Sequence, residues 1–194
     1  MSIEPTVIPP SRERLITILA QRSARRGDFT LSSGRRSSLY IDARLTTMSP
    51  DGLVLVGSLG LAAIQNAGWN ADAVGGLTLG ADPVSYAIAY ASALTLRPMR
   101  AFTVRKEPKT HGTGKLVEGP FQSGDRVVII EDVITTGGSA LRAVAAVRAA
   151  GASVLGVLAV VDREEGGREA IEADGLAAIS LARTAEILAA MTVT

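Results

Sequence analysis

The chain lacks several residue types on which many enzymes depend. It has no cysteine and a single histidine, His111, among its 194 residues. The absence of cysteine excludes disulfides, thiolate metal sites and a cysteine nucleophile, and one histidine cannot build a multi-histidine metal site. No apolar run approaches the roughly 18 residues that a membrane helix requires, so we predict no membrane partner.

The chain also lacks an excess of charge of either sign. Lysine and arginine total 20 against 19 aspartate and glutamate, which leaves a net charge of +1. This balance argues against nucleic acid as a partner, so any charge-driven function must be local. The first residues place their arginines after two prolines and have no apolar core, unlike a secretory signal. We therefore expect a cytoplasmic protein.

The length and the apolar segments indicate one domain, residues 1–194, of the α/β class. Short apolar segments alternate with helical ones of about 12 residues, which is typical of a mainly parallel sheet with helices on both faces. The predicted strands cover residues 71–75, 100–104, 126–130, 153–161 and 176–181. The predicted helices cover residues 83–93, 139–150 and 168–173, and a last helix is capped by Thr184.

The N-terminal part has a different pattern. Ser11 is predicted to cap a helix that ends before Gly27, and a hairpin over residues 29–45 turns at Ser33 and Gly34. A further helix begins at Ser49 and stops at residues 66–68. Farther along, residues 105–124 contain four glycines and two prolines with little periodicity. So long a loop in a small domain is usually functional.

The strongest local signal is VVIIEDVITTGGSA, residues 127–140. Glu131 and Asp132 follow an apolar strand, at the sheet end where ligands bind in parallel α/β proteins. Residues 135–139 then present hydroxyls and backbone N–H groups at a helix N-terminus, where a phosphate is favoured. The segment is neither a Walker loop nor a dinucleotide fingerprint. An ordinary helix cap is the alternative, but two adjacent carboxylates are costly unless they bind hydroxyls or a cation.

This segment resembles the 5-phosphoribosyl-1-pyrophosphate (PRPP) motif of type I phosphoribosyltransferases. Three further segments, residues 29–35, 105–112 and 161–167, resemble those of the orotate phosphoribosyltransferases in the same order. The resemblance implies the type I phosphoribosyltransferase fold, with a small N-terminal hood over residues 1–48 and a flexible catalytic loop over residues 105–124.

The resemblance also implies a reaction and its participants. Orotate and PRPP would give orotidine 5′-monophosphate and pyrophosphate, in pyrimidine synthesis. Mg²⁺ would be the cofactor, bound mainly through PRPP and without a metal site of the protein's own. The family's homodimer implies that the loop over residues 105–124 serves the neighbouring subunit's site.

Cleavage at the ribose anomeric carbon builds positive charge on the sugar and negative charge on pyrophosphate, so the site needs acids near the ribose and cations near the leaving group. The resemblance assigns catalysis to Asp132, Glu131, Lys109 and His111. It assigns PRPP binding to Arg105, Lys106, Lys109, His111, Glu131, Asp132, Val133, Ile134, Thr135, Thr136, Gly137, Gly138 and Ser139. It assigns orotate binding to Thr135, Arg163, Tyr40 and Ile41.

Residues 75–82 would form a second phosphate-facing loop, since glycine permits close backbone approach. One departure concerns Ser32, where many family members have lysine. Either Arg35 or Arg36 would supply the charge, or binding would rely on the cations of the loop over residues 105–124. Two alternatives are opposed by the sequence. A phosphoribosyltransferase for a purine base would share the PRPP motif but should lack the segments DREEGG and RKEPKTHG, and a regulatory protein of the same fold would need a basic face for RNA or DNA, against which the net charge of +1 argues.

Overall fold

The structure is a computed structural model that describes residues 10–30, 36–107 and 115–192. Several residues singled out in the sequence lie outside this range: Ser32, Ser33, Gly34 and Arg35 of the predicted hairpin, and Lys109 and His111 of the predicted catalytic loop.

A six-stranded sheet forms the centre of the molecule, in the order β5-β4-β3-β6-β7-β8. Its strands are β3 (Ala73–Leu77), β4 (Arg100–Val104), β5 (Val117–Glu118), β6 (Arg126–Ile134), β7 (Ser153–Asp162) and β8 (Ala178–Arg183). The pairings among β4, β3, β6, β7 and β8 are parallel, and β5 pairs antiparallel with β4. The predicted α/β class and mainly parallel sheet are confirmed.

Helices cover both faces of this sheet, as predicted. On one face lie α1 (Arg12–Ile18), α3 (Pro50–Asn66), α4 (Ala81–Ala93) and α7 (Thr184–Ala190); on the other lie α5 (Gly138–Ala149) and α6 (Gly167–Ala173). Strand β6 shows why these strands are continuously apolar: Val128 and Ile130 pack into the first core, while Val127 and Ile129 pack into the second. Alternate side chains point to opposite faces, and both faces are buried.

The N-terminal part forms a separate two-stranded sheet. Helix α1 continues into a π-helical turn, Leu19–Ser23, after which β1 (Ala24–Thr30) pairs antiparallel with β2 (Arg36–Ile41). The prediction that the first helix ends before Gly27 is confirmed, since the helical turns end at Ser23. Pairing with Ile41 buries Ala24 and draws the chain into a strand. The short helix α2 (Arg44–Thr47) then leads to α3.

Strand boundaries also differ from the prediction. β6 does not stop at Ile130, because its ladder with β7 continues through Glu131 opposite Ala159 to Ile134 opposite Asp162. Glu131 and Asp132 therefore lie within a strand rather than after it. β3 and β8 each begin two residues later than predicted.

Two smaller corrections concern helix α7 and the long loop. Thr184 is the first residue of α7 and not its cap, since its hydroxyl donates to the Asp162 carbonyl at 3.3 Å. The segment predicted as a continuous loop over residues 105–124 contains the short strand β5, which adds to the edge of the sheet beside β4.

Candidate active site

A cleft of about 560 Å³ opens at the carboxyl end of the parallel strands. It brings together predicted site residues from β2, β6, the start of α5 and the segments that follow β4 and β7. These are Tyr40, Ile41, Lys106, Glu131, Asp132, Val133, Thr135, Thr136, Ser139 and Arg163. Residues far apart in the sequence thus meet where the fold class places ligands.

Four other predicted residues lie close by but do not line the cleft. Ile134 packs in the second core, and its carbonyl accepts a hydrogen bond from the Arg163 N–H at 2.9 Å. Gly137 and Gly138 form the start of α5. Arg105 donates its backbone N–H to the Leu116 carbonyl at 2.9 Å. In this geometry Ile134 has only its backbone to offer a ligand.

Glu131 and Asp132 differ in their surroundings although they are neighbours. Glu131 is only 6% exposed, whereas Asp132 is half-buried at the cleft. Burial raises the pKa of Glu131 well above its ordinary value, and the charge of Asp132 raises it further. A protonated carboxyl can donate as well as accept a hydrogen bond, while a carboxylate only accepts. The pair therefore avoids two full negative charges at one place.

The loop after β3 packs directly against Asp132. A Cβ on Gly80 would lie 2.4 Å from the Asp132 Cγ, so only glycine lets the loop come this close. Asp82 fixes this loop to β4, since it accepts hydrogen bonds from the Thr78 hydroxyl of the loop at 2.7 Å and from the Thr103 hydroxyl of β4 at 2.8 Å. The predicted second phosphate-facing loop thus lies next to the acidic pair.

The start of α5 depends on a second close packing. Gly137 has a φ of +78°, in the left-handed region that favours glycine. A Cβ on Gly167 would lie 2.6 Å from the Thr135 carbonyl oxygen and 2.7 Å from the Gly137 nitrogen. Gly167, which ends the segment over residues 161–167, therefore supports the loop before α5, a packing role that the sequence did not reveal.

Arg163 joins the end of β7 to the N-terminal sheet. Its side chain is buried, its Nε donates to Glu165 Oε1 at 2.7 Å, and its Nη2 donates to Ser37 Oγ at 3.1 Å and the Leu39 carbonyl at 3.2 Å. Tyr40, beside it, stacks obliquely on Phe29 with ring centroids 5.4 Å apart. Arg163 thus fixes the wall that carries Tyr40 and Ile41.

Sequence reasoning missed three charged residues of the cleft: Asp42, Arg44 and Arg142. Arg142 follows Ser139 by three residues on α5, a spacing that places both on one helix face and that would have indicated it. Arg44 and Asp42 follow β2 and belong to no motif. Their place in the cleft is a result of the tertiary structure.

Two kinds of feature are absent from the described ranges. Across residues 10–30, 36–107 and 115–192, no cluster of three or more histidine, cysteine, aspartate or glutamate side chains is arranged to hold a metal ion. Over the same ranges, none of the helices combines the length and apolar character needed to span a bilayer.

Comparisons with known proteins agree on one family. A family model described as the phosphoribosyl transferase domain matches residues 50–175. The orotate phosphoribosyltransferase of Aquifex aeolicus strain VF5 is 48% identical over 180 residues, covering 91% of this chain and 97% of that protein. The orotate phosphoribosyltransferase of Bradyrhizobium sp. strain ORS 278 is 44% identical over 182 residues, covering 92% and 97%. A crystal structure of the Mycobacterium tuberculosis H37Rv orotate phosphoribosyltransferase in complex with PRPP has a TM-score of 0.77 and 43% identity, covering 91% and 98%.

Proposed function

This chain belongs to the phosphoribosyltransferase family, within which it is an orotate phosphoribosyltransferase, and from that premise we propose how its cleft performs the transfer. The reaction moves the 5-phosphoribosyl group of PRPP onto orotate and releases pyrophosphate, a step of pyrimidine synthesis. The observation that carries the residue assignments is the pairing of Glu131 and Asp132 beside the start of α5, in one cleft with Arg163.

Glu131 and Asp132 are proposed to hold the ribose. The ring gains positive charge as the bond to pyrophosphate breaks, and the half-buried Asp132 carboxylate is placed to stabilise it. Glu131, which keeps its proton above the ordinary range, can donate to a ribose oxygen. The 5′-phosphate is proposed to bind at residues 135–139, where the first N–H groups of α5 and three hydroxyl side chains, Thr135, Thr136 and Ser139, are available.

The pyrophosphate is proposed to leave along the loop over residues 78–80. Lys106 lines the cleft, and Thr78 donates its backbone N–H to the Val104 carbonyl at 2.8 Å, which keeps the loop beside the end of β4 that leads to Lys106. Arg105, Lys109 and His111 are assigned to the same charge by the resemblance. Cations here would stabilise the negative charge that grows on the leaving group.

Orotate is proposed to lie against Arg163, Tyr40, Ile41 and Thr135. Arg163 is held on several sides by acceptors of the protein, so its guanidinium is fixed before the substrate arrives. A fixed guanidinium suits the planar carboxylate of orotate. Ile41 is buried and is expected to contribute its backbone, while the 40% exposed Tyr40 offers its side chain.

Mg²⁺ is proposed to enter with PRPP. The described residues offer no three-ligand cluster, but Asp132 supplies one carboxylate at the cleft. One or two carboxylates with substrate phosphates form the environment that Mg²⁺ prefers, so Asp132 and the PRPP oxygens would hold it. When bound, the ion would neutralise charge on the pyrophosphate.

A homodimer is proposed from an apolar surface next to the cleft. Leu45, Met48, Leu79 and Tyr86 are 47–67% exposed and line a groove that shares Asp42, Arg44 and Leu79 with the cleft. A contiguous exposed apolar patch usually marks an interface. A second copy of the chain is the occupant we propose, because the groove adjoins the cleft and the resemblance implies a homodimer in which residues 105–124 serve the neighbouring subunit's site.

Mixed dimers test the shared loop. An Asp132→Asn subunit combined with a Lys109→Ala subunit should regain activity, because one of the two sites would then have both an intact Asp132 and an intact Lys109. Each variant alone serves as the control. Failure to regain activity after proven subunit exchange would contradict sharing of the loop.

We also propose that the enzyme is located in the cytoplasm. PRPP and the nucleotide product are multiply charged and do not cross a membrane unaided, so an enzyme that uses them is expected in the cytoplasm. Fractionation of the native host tests this, and recovery of the enzyme with membranes would oppose it.

The substrate is tested with a panel of bases. PRPP and Mg²⁺ are supplied with orotate, uracil, adenine, hypoxanthine or xanthine, and nucleotide and pyrophosphate are measured. Because a site that pairs a carboxylate rejects the analogue without it, we expect orotate to exceed uracil by several orders of magnitude in kcat/KM. Comparable turnover of uracil or of a purine would overturn the assignment.

A further inference from the structure

Arg44 is a cation of the cleft that belongs to none of the sequence motifs. It lies at the start of α2 and lines both the cleft and the adjoining apolar groove, each time together with Leu79 of the loop over residues 78–80. This loop packs against Asp132 through Gly80. Arg44 is therefore beside the part of the cleft where we place the pyrophosphate.

Asp42 orients this arginine. Arg44 Nε donates to Asp42 Oδ1 at 2.8 Å and its Nη2 donates to Oδ2 at 2.9 Å, while its backbone N–H donates to the same Oδ1 at 3.1 Å. Two parallel bonds hold the plane of a guanidinium in one direction. They engage two of its five N–H donors, which leaves three for a ligand.

An ordinary surface ion pair is the competing interpretation. Arg148 and Asp174 make such a pair, with the arginine side chain 45% exposed against 46% for Arg44, but they do not line the cleft. The charge environment distinguishes the two. The pKa of Arg44 is raised chiefly by its hydrogen bond to Asp42 and by the charge of Asp42, and also by the charge of Asp132, so Arg44 interacts electrostatically with the reaction centre.

Two of the other described cations of the cleft are used elsewhere, and the third, Lys106, is assigned to the same pyrophosphate. Arg163 is bonded to Glu165, Ser37 and Leu39, and Arg142 acts on Glu131, since its charge lowers the pKa of that acid. Lys106 approaches the loop over residues 78–80 from the side of β4. Arg44 approaches the same loop from the side of α2.

We infer that Arg44 binds the pyrophosphate group of PRPP beside residues 78–80, and that Asp42 is a positioning residue that aims it. This inference rests on the proposed function. Because charge grows on pyrophosphate as the bond breaks, the contact strengthens toward the transition state and should affect kcat as well as the PRPP constant.

Three variants and a matched control test the inference. Arg44→Ala should raise the KM for PRPP roughly 10- to 100-fold, the loss expected for a charged hydrogen bond to phosphate, with little change in the KM for orotate. Arg44→Lys should recover part of the loss, because it keeps the charge but not the fork. Asp42→Asn should shift the same constant less, and Arg148→Ala should leave both constants unchanged.

Direct binding of inorganic pyrophosphate, measured by calorimetry on each variant, separates this inference from the function on which it rests. Weaker pyrophosphate binding by Arg44→Ala than by the wild type supports the role of Arg44, whichever base the enzyme uses. Failure of the wild-type enzyme to use orotate would overturn the proposed function but not this role. An unchanged PRPP constant and unchanged pyrophosphate binding would overturn the inference. So would an effect confined to the oligomeric state in sedimentation, which would assign Arg44 to the dimer contact.

Discussion

The two ends of the parallel sheet carry similar residues and behave differently. At the amino end, a cleft of about 560 Å³ holds three arginines, and their partners lie within 2.9 Å: Asp72 for Arg126, Asp125 for Arg100 and Asn70 for Arg97. Hydrogen bonds from Arg126 lower the pKa of Asp72 to about 2. Two of these arginines are paired with a carboxylate and the third with a neutral amide, so each has a partner in the protein itself.

The cleft at the carboxyl end has about the same volume, and its Arg44 and Arg163 are likewise paired, with Asp42 and Glu165. Its acids differ, because Glu131 lies beside a like charge, Asp132. Burial and the charge of Asp132 raise the pKa of Glu131 instead of lowering it. The comparison shows that neither cavity volume nor charge content marks the functional end. A perturbed acid beside a like charge in a cleft does, because the protein tolerates that cost where a ligand relieves it.

The largest expected effect is at the carboxyl end. Asp132→Asn should lower kcat at least about 100-fold, because it removes negative charge from the centre where the ribose becomes positive. Since Asp132 is half-buried at the cleft, thermal unfolding should change little. Steady-state kinetics and calorimetry measure both, and near-wild-type activity would remove Asp132 from the mechanism.

Gly80→Ala should have the second-largest effect on catalysis. Gly80 has a φ of −60° and a ψ of −42°, which alanine adopts readily, so stability should be unchanged or slightly higher. The new Cβ would displace the Asp132 carboxylate, and we expect kcat to fall at least about 10-fold, because small misplacements of a catalytic group are costly.

A double variant is the control for this change. If Gly80→Ala acts through Asp132, combining it with Asp132→Asn should be no worse than Asp132→Asn alone. Additive losses would show that Gly80 acts on something else.

Glu131→Gln should change the pH dependence of stability. The pKa of Glu131 is raised in the folded state. Its contribution to the free energy of unfolding is therefore fully present at a pH below the ordinary pKa of glutamate, and it is lost as the pH rises through the pKa of the folded state. Glutamine keeps the neutral form, so the variant should match the wild type near pH 4 and gain in relative stability toward pH 8. Thermal unfolding across this range measures the difference, at about 2–4 °C per kcal/mol. A difference in stability between variant and wild type that does not change with pH would contradict the raised pKa of Glu131.

The smallest effect is expected at the amino end. Asp72→Asn should cost at most about 1 kcal/mol near neutral pH, because the pair with Arg126 is partly exposed. The pKa of Asp72 is lowered to about 2. Its contribution to the free energy of unfolding is therefore present at a pH above the ordinary pKa of aspartate, and it is lost as the pH falls toward that lowered pKa. Both Michaelis constants should stay unchanged, and a shift in either would break the contrast between the two ends.

Much of the sheet and of the acidic end of the cleft could be predicted from local patterns. Residues 127–140 combine an apolar strand, two acids and a hydroxyl-rich helix start, and each of these signals is short-range. The end of β6 could not be predicted this way, because pairing with β7 carries the strand through two polar residues to Ile134. A ladder partner outweighs the local preference of a charged residue.

Other parts of the site depend on contacts between distant segments. The spacing of Ser139 and Arg142 on one helix was readable in principle, but Arg44 and Asp42 gain their place only because β2 ends at the cleft. Likewise, the role of Gly80 depends on the position of Asp132, which lies in β6, 52 residues later in the chain.

By itself, the sequence determined the α/β class, the order of strands and helices, the acidic pair and the resemblance that indicated the reaction, because periodicity and motif chemistry act over a few neighbouring residues. Only the tertiary structure decided which acid is buried, which arginines are paired and which glycines pack too closely for a side chain. Burial, hydrogen bonding and close approach depend on atoms brought together from several strands and loops, and the sign of the shift in the pKa of Glu131 follows from that assembly.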